Sequence, residues 1–321
     1  MRAIQIEEHG GPEVMRVVEL PVRDPGPGEI RIRHHAIGVN FIDTYQRSGL
    51  YKQALPFVPG SEGAGVVEAV GAHVAFVVGD RVAYAASSPG SYAEARTLAA
   101  AQVVRLPDAI DFPTAAAMML KGLTVQYLLR RTSPQGGLHA GDFIVWHAAA
   151  GGVGSIACQW AKALGLRVIG TAGSDEKCAL ALRSGAEVAL DYRKDDIVAR
   201  VRQLTGGVKI VFDSVGKDTF ERSLDCLAPC GLLVSFGNAS GPPPLLDVLS
   251  LSRKGSLYVT RPTLGTHTKD HLAEMAAELF EVVTSSKVVI EVNQRYALAD
   301  AAQAHRDLEA RKTTGASVLL V

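Results

Sequence analysis

"AAAGGVG", residues 148–154, follows the apolar run "FIVW" at 143–146 and opens a stretch of helical spacing at 152–164. A strand, a glycine-rich turn and a helix form the arrangement that holds the pyrophosphate of a dinucleotide. The usual pattern is G-x-G-x-x-G. Here Ala149 stands at the first glycine, while Gly151 and Gly154 keep the second and third. Gly151 lets backbone approach a pyrophosphate, and Gly154 lets the helix pack close to the strand. The free N–H groups at the helix start supply the anion site. An alanine at the first place requires that this residue keep a negative φ. Taken alone, such a loop also suits a tight structural turn.

The same texture continues outward from the loop. Strand-like runs at 143–146, 167–171, 187–190, 209–213, 232–236 and 257–260 alternate with helical patterns at 152–164, 175–184, 195–205 and 218–227. Six strands with helices between them predict a doubly wound parallel sheet, giving an α/β fold of Rossmann type. The first 120 or so residues read differently. "RAIQI", "EIRIRHHAIGV", "GAGVVEAV" and "DRVAYAA" are short alternating or β-branched runs broken by Gly and Pro, which predict an antiparallel, partly barrel-like domain. A helix is expected in "FPTAAAMMLKGLTVQYLLRRT". After residue 261 come a helix at 271–285, a strand-like "KVVIEV" at 287–292, a helix at 299–308 and a last strand "SVLLV". One sheet does not need these additions, so the C-terminal segment is expected to rejoin the first domain. The boundaries read from the sequence are 1–124, 125–261 and 262–321.

Of the 321 residues 47% are apolar and 21% charged, which describes a globular chain long enough for two domains. Lys plus Arg and Asp plus Glu number 33 each, a balance that argues against nucleic acid as a main partner. No apolar run approaches a membrane span, and "MRAIQIEEHGG" has no signal-peptide core, so the expected compartment is the cytoplasm. The cysteines are Cys158, Cys178, Cys226 and Cys230, without a C-x-x-C pair. A disulfide framework is not expected there. Cys226 and Cys230 would share one helix face, as core packing does.

A site built for NAD carries an acid about 20 residues past the loop, bonded to the ribose 2′-hydroxyl. Gly173, in "GTAGSDEK", holds that place. A glycine leaves room for a further phosphate, Ser174 can donate to it, and Lys177 follows one helical turn later. Tyr192 offers a phenol at the same end. Ser174 also suits a helix cap, and Asp175 and Glu176 oppose an anion unless they point away. The balance favours NADP over NAD.

An ordered set of motifs then carries a resemblance over essentially the whole chain: "NFIDTYQRSGLY", "PGSEGAGVVEAVG", "GDRVAY", "LKGLTVQYLL", "HAAAGGVG", "DSVG", "SLDCLAPCGLLVSFGNASG" and "GSLYVTRP". The chain resembles the NADPH:quinone oxidoreductases, the zeta-crystallin-like, zinc-free branch of the medium-chain dehydrogenase/reductase family. The resemblance implies a GroES-like domain, a Rossmann domain that binds NADPH, and a C-terminal return to the first. It implies Gly152, Val153, Gly173, Lys177, Tyr192, Ser214, Phe236, Gly237 and Asn238 on the cofactor, with Arg311 from a late loop. It implies Asn40, Tyr45 and Tyr51 around the nicotinamide and the acceptor, with Lys121 and Thr124 facing the same place. Turn chemistry for Asn40 and core packing for the tyrosines are the plainer alternatives. It also implies a homodimer through the Rossmann sheet edge near "GSLYVT".

Zinc-dependent relatives use a cysteine, a Gly-His-Glu segment and a further thiol or carboxylate. Here the cysteine region reads "GVNFIDTY", the segment is Gly60-Ser61-Glu62, and His147 is a lone imidazole. His34 and His35 lie on opposite faces of one strand, so they cannot chelate together. No metal is expected, and Glu62 is expected as a structural partner. Quinones need little help to accept hydride, so metal-free quinone reduction is the expected activity. Reduction of an enone or 2-alkenal double bond is the alternative enzyme. An NADPH-binding structural or RNA-binding role is the alternative of another class.

Overall fold

The computed structural model describes residues 1–321. By contacts the chain divides into two units, Met1–Leu123 with Thr268–Thr284 and Ile290–Val321, and Thr124–His267 with Ser285–Val289.

The first unit is mostly antiparallel sheet. A ribbon pairs β1 (Arg2–Ile6) with β2 (Met15–Glu19). The main sheet is centred on β3 (Glu29–Val39), which pairs antiparallel with β4 (Glu62–Val70); β4 in turn pairs with β5 (Arg81–Ala85). β6 (Ala95–Ala99) lies on the other edge of β3, and β7 (Val103–Arg105) on β5. Strand β3 follows its alternation: Ile30, Ile32 and His34 turn inward, while Arg33 and His35 are exposed. Helix α1 (Phe41–Ser48) leaves the end of β3, and α2 (Phe112–Arg130) follows β7.

The second unit is a six-stranded, all-parallel sheet. Its strands are β8 (Phe143–Trp146), β9 (Arg167–Ala172), β10 (Val188–Asp191), β11 (Val208–Asp213), β12 (Leu227–Ser235) and β13 (Tyr258–Thr260). The helices between them are α3 (Gly152–Ala163), α4 (Asp175–Arg183), α5 (Ile197–Thr205), α6 (Phe220–Asp225) and α7 (Val248–Arg253). The order β10-β9-β8-β11-β12-β13 reverses direction at β8, the switch point where such sheets take ligands. Strands buried on both faces read as continuous apolar runs. Val145, Ile169, Val211 and Leu233 from four of them share one core.

The C-terminal part contributes α8 (Leu264–Thr284), β14 (Val292–Ala297), α9 (Ala301–Glu309) and β15 (Ala316–Leu320). β15 pairs antiparallel with β3 and carries β14 beside it.

Two expectations need correction. The run at 287–292 is not a strand; β14 begins only at Val292. The backbone of Val289 bonds instead to a side chain, donating to Gln159 Oε1 at 2.8 Å and accepting from Gln159 Nε2 at 3.0 Å. One amide satisfies the groups that a neighbouring strand would otherwise pair. Cys226 and Cys230 do not share a helix. Cys226 is buried at the C-cap of α6, whereas Cys230 is exposed in β12 with φ 58°. All four cysteines are free thiols. No helix is long and apolar enough to cross a membrane.

Candidate active site

The loop after β8 turns sharply. Ala148, not Ala149, adopts the left-handed conformation, with φ 55°. Its carbonyl accepts the Gly151 N–H at 3.0 Å. Gly151 is the N-cap of α3, with φ −80°, and the first N–H groups of a helix have no partner within it. A Cβ on Gly154 would drive into the Ala148 carbonyl and the Ala149 backbone, so this glycine sets the closeness of helix and strand. The cradle fits a pyrophosphate by shape and by dipole.

The other expected cofactor residues, Arg311 excepted, collect at the same, C-terminal ends of the parallel strands. Gly173 and Ser174 follow β9, Tyr192 follows β10, Ser214 follows β11, and Phe236, Gly237 and Asn238 follow β12. Any Cβ on Gly173 would collide with the Tyr192 hydroxyl, so the phenol lies directly over the glycine. Ser174 caps α4, its hydroxyl accepting the Lys177 N–H at 3.3 Å. Asp175 turns to Lys194, whose ammonium lies 2.6 Å from its carboxylate. Glu176 is fully exposed, and the Ser174 hydroxyl holds its carboxyl below the usual range.

Two residues absent from the sequence expectations hold these loops. Asp213, fully buried at the end of β11, accepts from the Val215 and Gly216 N–H groups and from the Thr219 and Ser223 hydroxyls. This fixes the loop that carries Ser214. Arg261, just past β13, donates to the Gly237 carbonyl at 3.1 Å and to Asn238 Oδ1 at 3.1 Å. His147 joins the layer beneath, between the Thr171 and Ser223 hydroxyls at 2.9 and 3.0 Å. Burial lowers its pKa. The signal for Asp213 was in the sequence, as an acid ending an apolar strand.

In the first unit, Asn40, Glu62 and Lys121 come together. Glu62 is wholly buried. Its Oε1 accepts from Asn40 Nδ2 at 2.8 Å and Lys121 Nζ at 2.9 Å, and its Oε2 accepts the Leu120 N–H at 2.6 Å. Gly38 makes room for that carboxylate, since any Cβ there would overlap it. Tyr45 packs edge-on against Tyr51, with ring centroids 5.3 Å apart. Thr124, the first residue of the second unit, is buried one turn after Lys121 on α2. Arg311 is exposed in a left-handed turn after α9, φ 57°. Ser61 and Asn40, standing where zinc enzymes keep ligands, use their donors on Asp43 and Glu62. Hydroxyl and amide donors committed in this way do not suit zinc. No group of three His, Cys, Asp or Glu side chains is close enough to hold a metal ion.

Residues 26–108 match the alcohol dehydrogenase GroES-like domain, and residues 152–281 the zinc-binding dehydrogenase domain. A quinone oxidoreductase of Pseudomonas aeruginosa is 57% identical over 99% of both chains. The chain belongs to the quinone oxidoreductases of the medium-chain dehydrogenase/reductase family. Another quinone oxidoreductase, from Escherichia coli and solved in complex with NADPH, superimposes with a TM-score of 0.97 at 48% identity over 100% of both chains. The family also has relatives named for other acceptors: a 2-haloacrylate reductase of a Burkholderia species is 40% identical over 99% of this chain and 98% of its own.

Proposed function

We propose that this quinone oxidoreductase reduces quinones with NADPH and without a metal. The observation that carries the reading is the corner after β9, where Gly173, bare beneath the Tyr192 phenol, takes the place of an acid for a ribose 2′-hydroxyl. Ser174, Lys177 and Tyr192 are the residues for the 2′-phosphate; the Asp175–Lys194 ion pair neutralises one opposing charge, and the Glu176 carboxylate remains on the Ser174 hydroxyl. Gly151, Gly152 and Val153 hold the pyrophosphate, Ser214, Phe236, Gly237 and Asn238 the remaining cofactor edge, and Arg311 a further contact. A relative solved with NADPH supports the same cofactor. When bound, NADPH supplies the hydride.

On the acceptor side, Asn40, held by Glu62, presents a fixed amide group, and Tyr45 and Tyr51 present an aromatic wall. Tyr45 donates to the oxyanion that develops on the acceptor, and Lys121 and Thr124 complete the polar lining. A quinone spreads that charge over its ring, so positioning supplies most of the rate. In this reading residues 1–124 form the catalytic domain, 125–261 the NADPH domain, and 262–321 return to the first.

Stopped-flow oxidation of NADPH against a panel of quinones and enones, run beside NADH, tests the proposal. Fast turnover with quinones and a strong NADPH preference is expected; equal use of NADH, or no quinone turnover, overturns it. The 2-haloacrylate reductase among the relatives favours a second reading, reduction of an activated carbon–carbon double bond, which the enone arm measures.

The edge strand β13 exposes Tyr258, and exposed Val248 and Leu249 lie on α7 of the same unit. Open sheet edges of this kind are normally covered. A homodimer through this edge is the proposed assembly; a monomeric mass in light scattering would refute it. Four free thiols suit a cytoplasmic location.

A further inference from the structure

A buried polar chain runs through the first unit beside Asn40, and the reaction as described makes no use of it. Asp43 sits in the first turn of α1 and is fully buried. Its Oδ2 accepts the Asn40 backbone N–H at 2.9 Å and the Tyr92 hydroxyl at 3.1 Å; its Oδ1 accepts the Ser61 hydroxyl at 3.0 Å. Tyr92 Oη also lies 3.0 Å from Nε2 of His305, on α9. His305 Nδ1 lies 3.2 Å from a guanidinium nitrogen of Arg47, which forms a two-pronged ion pair with Glu309.

The proton positions follow from these contacts. Arg47 can only donate, so His305 Nδ1 is an acceptor and its hydrogen is on Nε2. Nε2–H therefore donates to Tyr92, and the single phenolic hydrogen points at Asp43. Every donor in the chain points toward the carboxylate. Reversing Tyr92 would require a hydrogen on Nδ1, facing the N–H of Arg47. The geometry therefore favours an ionised Asp43, and His305 stays neutral because burial, with Arg47 beside it, lowers its pKa to about 3. Against this, burial raises the Asp43 carboxyl to about 7, with Glu62 adding repulsion and the bonds from Asn40, Ser61 and Tyr92 opposing both. The charged groups around Asp43 are Glu62 on β4, Arg47 on its own helix, and Glu309 on α9, with Lys121 on α2 balancing Glu62.

We propose that Asp43 is a positioning residue for the acceptor site, holding Asn40 by its backbone while Glu62 holds its side chain, and that Arg47, His305 and Tyr92 keep Asp43 ionised from neutral pH upward. Asn40 is thus fixed between two carboxylates. Protonating Asp43 costs it an acceptor and loosens the Asn40 segment. The C-terminal helix α9, remote in sequence, thereby acts on the site through His305.

The consequence for acceptor binding rests on the acceptor role of Asn40 given above, and the experiment has one arm that does not. In the whole protein carrying 13C-labelled aspartate carboxyls, one resonance absent from Asp43→Asn should titrate near neutral pH. Tyr92→Phe removes a bond to the charged form and should move that titration up by about one pH unit. An Asp43 carboxyl that stays protonated above pH 8, or a titration that does not move in Tyr92→Phe, overturns the proposal, whatever the protein reduces. In the kinetic arm, His305→Leu should raise the quinone KM about threefold to tenfold while the NADPH KM changes less than about twofold. His305→Gln, whose amide can both accept from Arg47 and donate to Tyr92, should restore it. Equal changes in both KM values, or no difference between the Leu and Gln variants, overturns the positioning role.

Discussion

Lys177 and Tyr45 carry the sharpest claims at the scale of the residue. Lys177 begins the second half of the first turn of α4, beside the Ser174 cap and the Gly173–Tyr192 corner. A charge-assisted bond to a phosphate is worth about 1.5–3 kcal/mol, and 1.4 kcal/mol is about a factor of ten. Lys177→Ala should therefore raise the NADPH KM about tenfold or more, with the NADH KM nearly unchanged. Equal effects on the two cofactors would return Lys177 to an ordinary helix surface. Tyr45 is 9% exposed, and its ring keeps Tyr51 at 5.3 Å whether or not it carries a hydroxyl. Tyr45→Phe should leave thermal stability within about 0.5 kcal/mol of the parent and lower kcat toward quinones by about tenfold or more. An unchanged kcat would assign the tyrosine to packing alone.

At the scale of the element, Gly151 and Gly154, the two glycines at motif positions of the phosphate loop, serve different purposes and should fail differently. A Cβ on Gly154 meets backbone, which cannot yield, so Gly154→Ala should cost about 1–3 kcal/mol in urea unfolding. A Cβ on Gly151 comes no nearer than 3.3 Å to the Ala148 carbonyl, and its φ of −80° suits alanine. Gly151→Ala should thus fold with near-parental stability yet bind NADPH poorly, because the methyl fills the backbone's approach to the pyrophosphate. Fluorescence titration with NADPH beside urea melts separates the two effects. The strands of both sheets were readable because periodicity reports burial: "EIRIRHHAIGV" alternates where one face is covered, and "FIVW" does not where both are. The run at 287–292 misled because a side chain, Gln159, replaces a strand as the hydrogen-bond partner, and periodicity carries no trace of that. Residues tied to a local pattern, such as Gly173 and Ser174, could be read directly. Asp43, Tyr92 and His305 lie far apart along the chain, and only folding brings them together. The strain at Ala148, about 1 kcal/mol for a left-handed alanine, was likewise invisible, since the motif directs attention to Ala149.

For the molecule as a whole, these buried groups set how stability responds to acid. In the first unit, burial lowers the pKa of His34 to about 4 and that of His305 to about 3, and raises that of Asp43 to about 7. A depressed imidazole stabilises the fold above its unfolded pKa, and that stability is lost as pH falls. A raised carboxyl acts the opposite way, its contribution being present at low pH and lost as pH rises toward 7. Between about pH 4.5 and 6 the unfolded chain takes up two protons on the imidazoles that the native unit refuses, while the native unit keeps one on Asp43 that the unfolded chain has released. The difference is one proton, so stability of this unit should fall by about 1.4 kcal/mol for each pH unit of acidification. Urea midpoints followed across this window should show that slope in the parent. His305→Gln removes one refusing imidazole and should flatten the slope to near zero, whereas Asp43→Asn removes the opposing carboxyl and should double it. Slopes that change in the same direction in the two variants would contradict the charge states assigned to the chain.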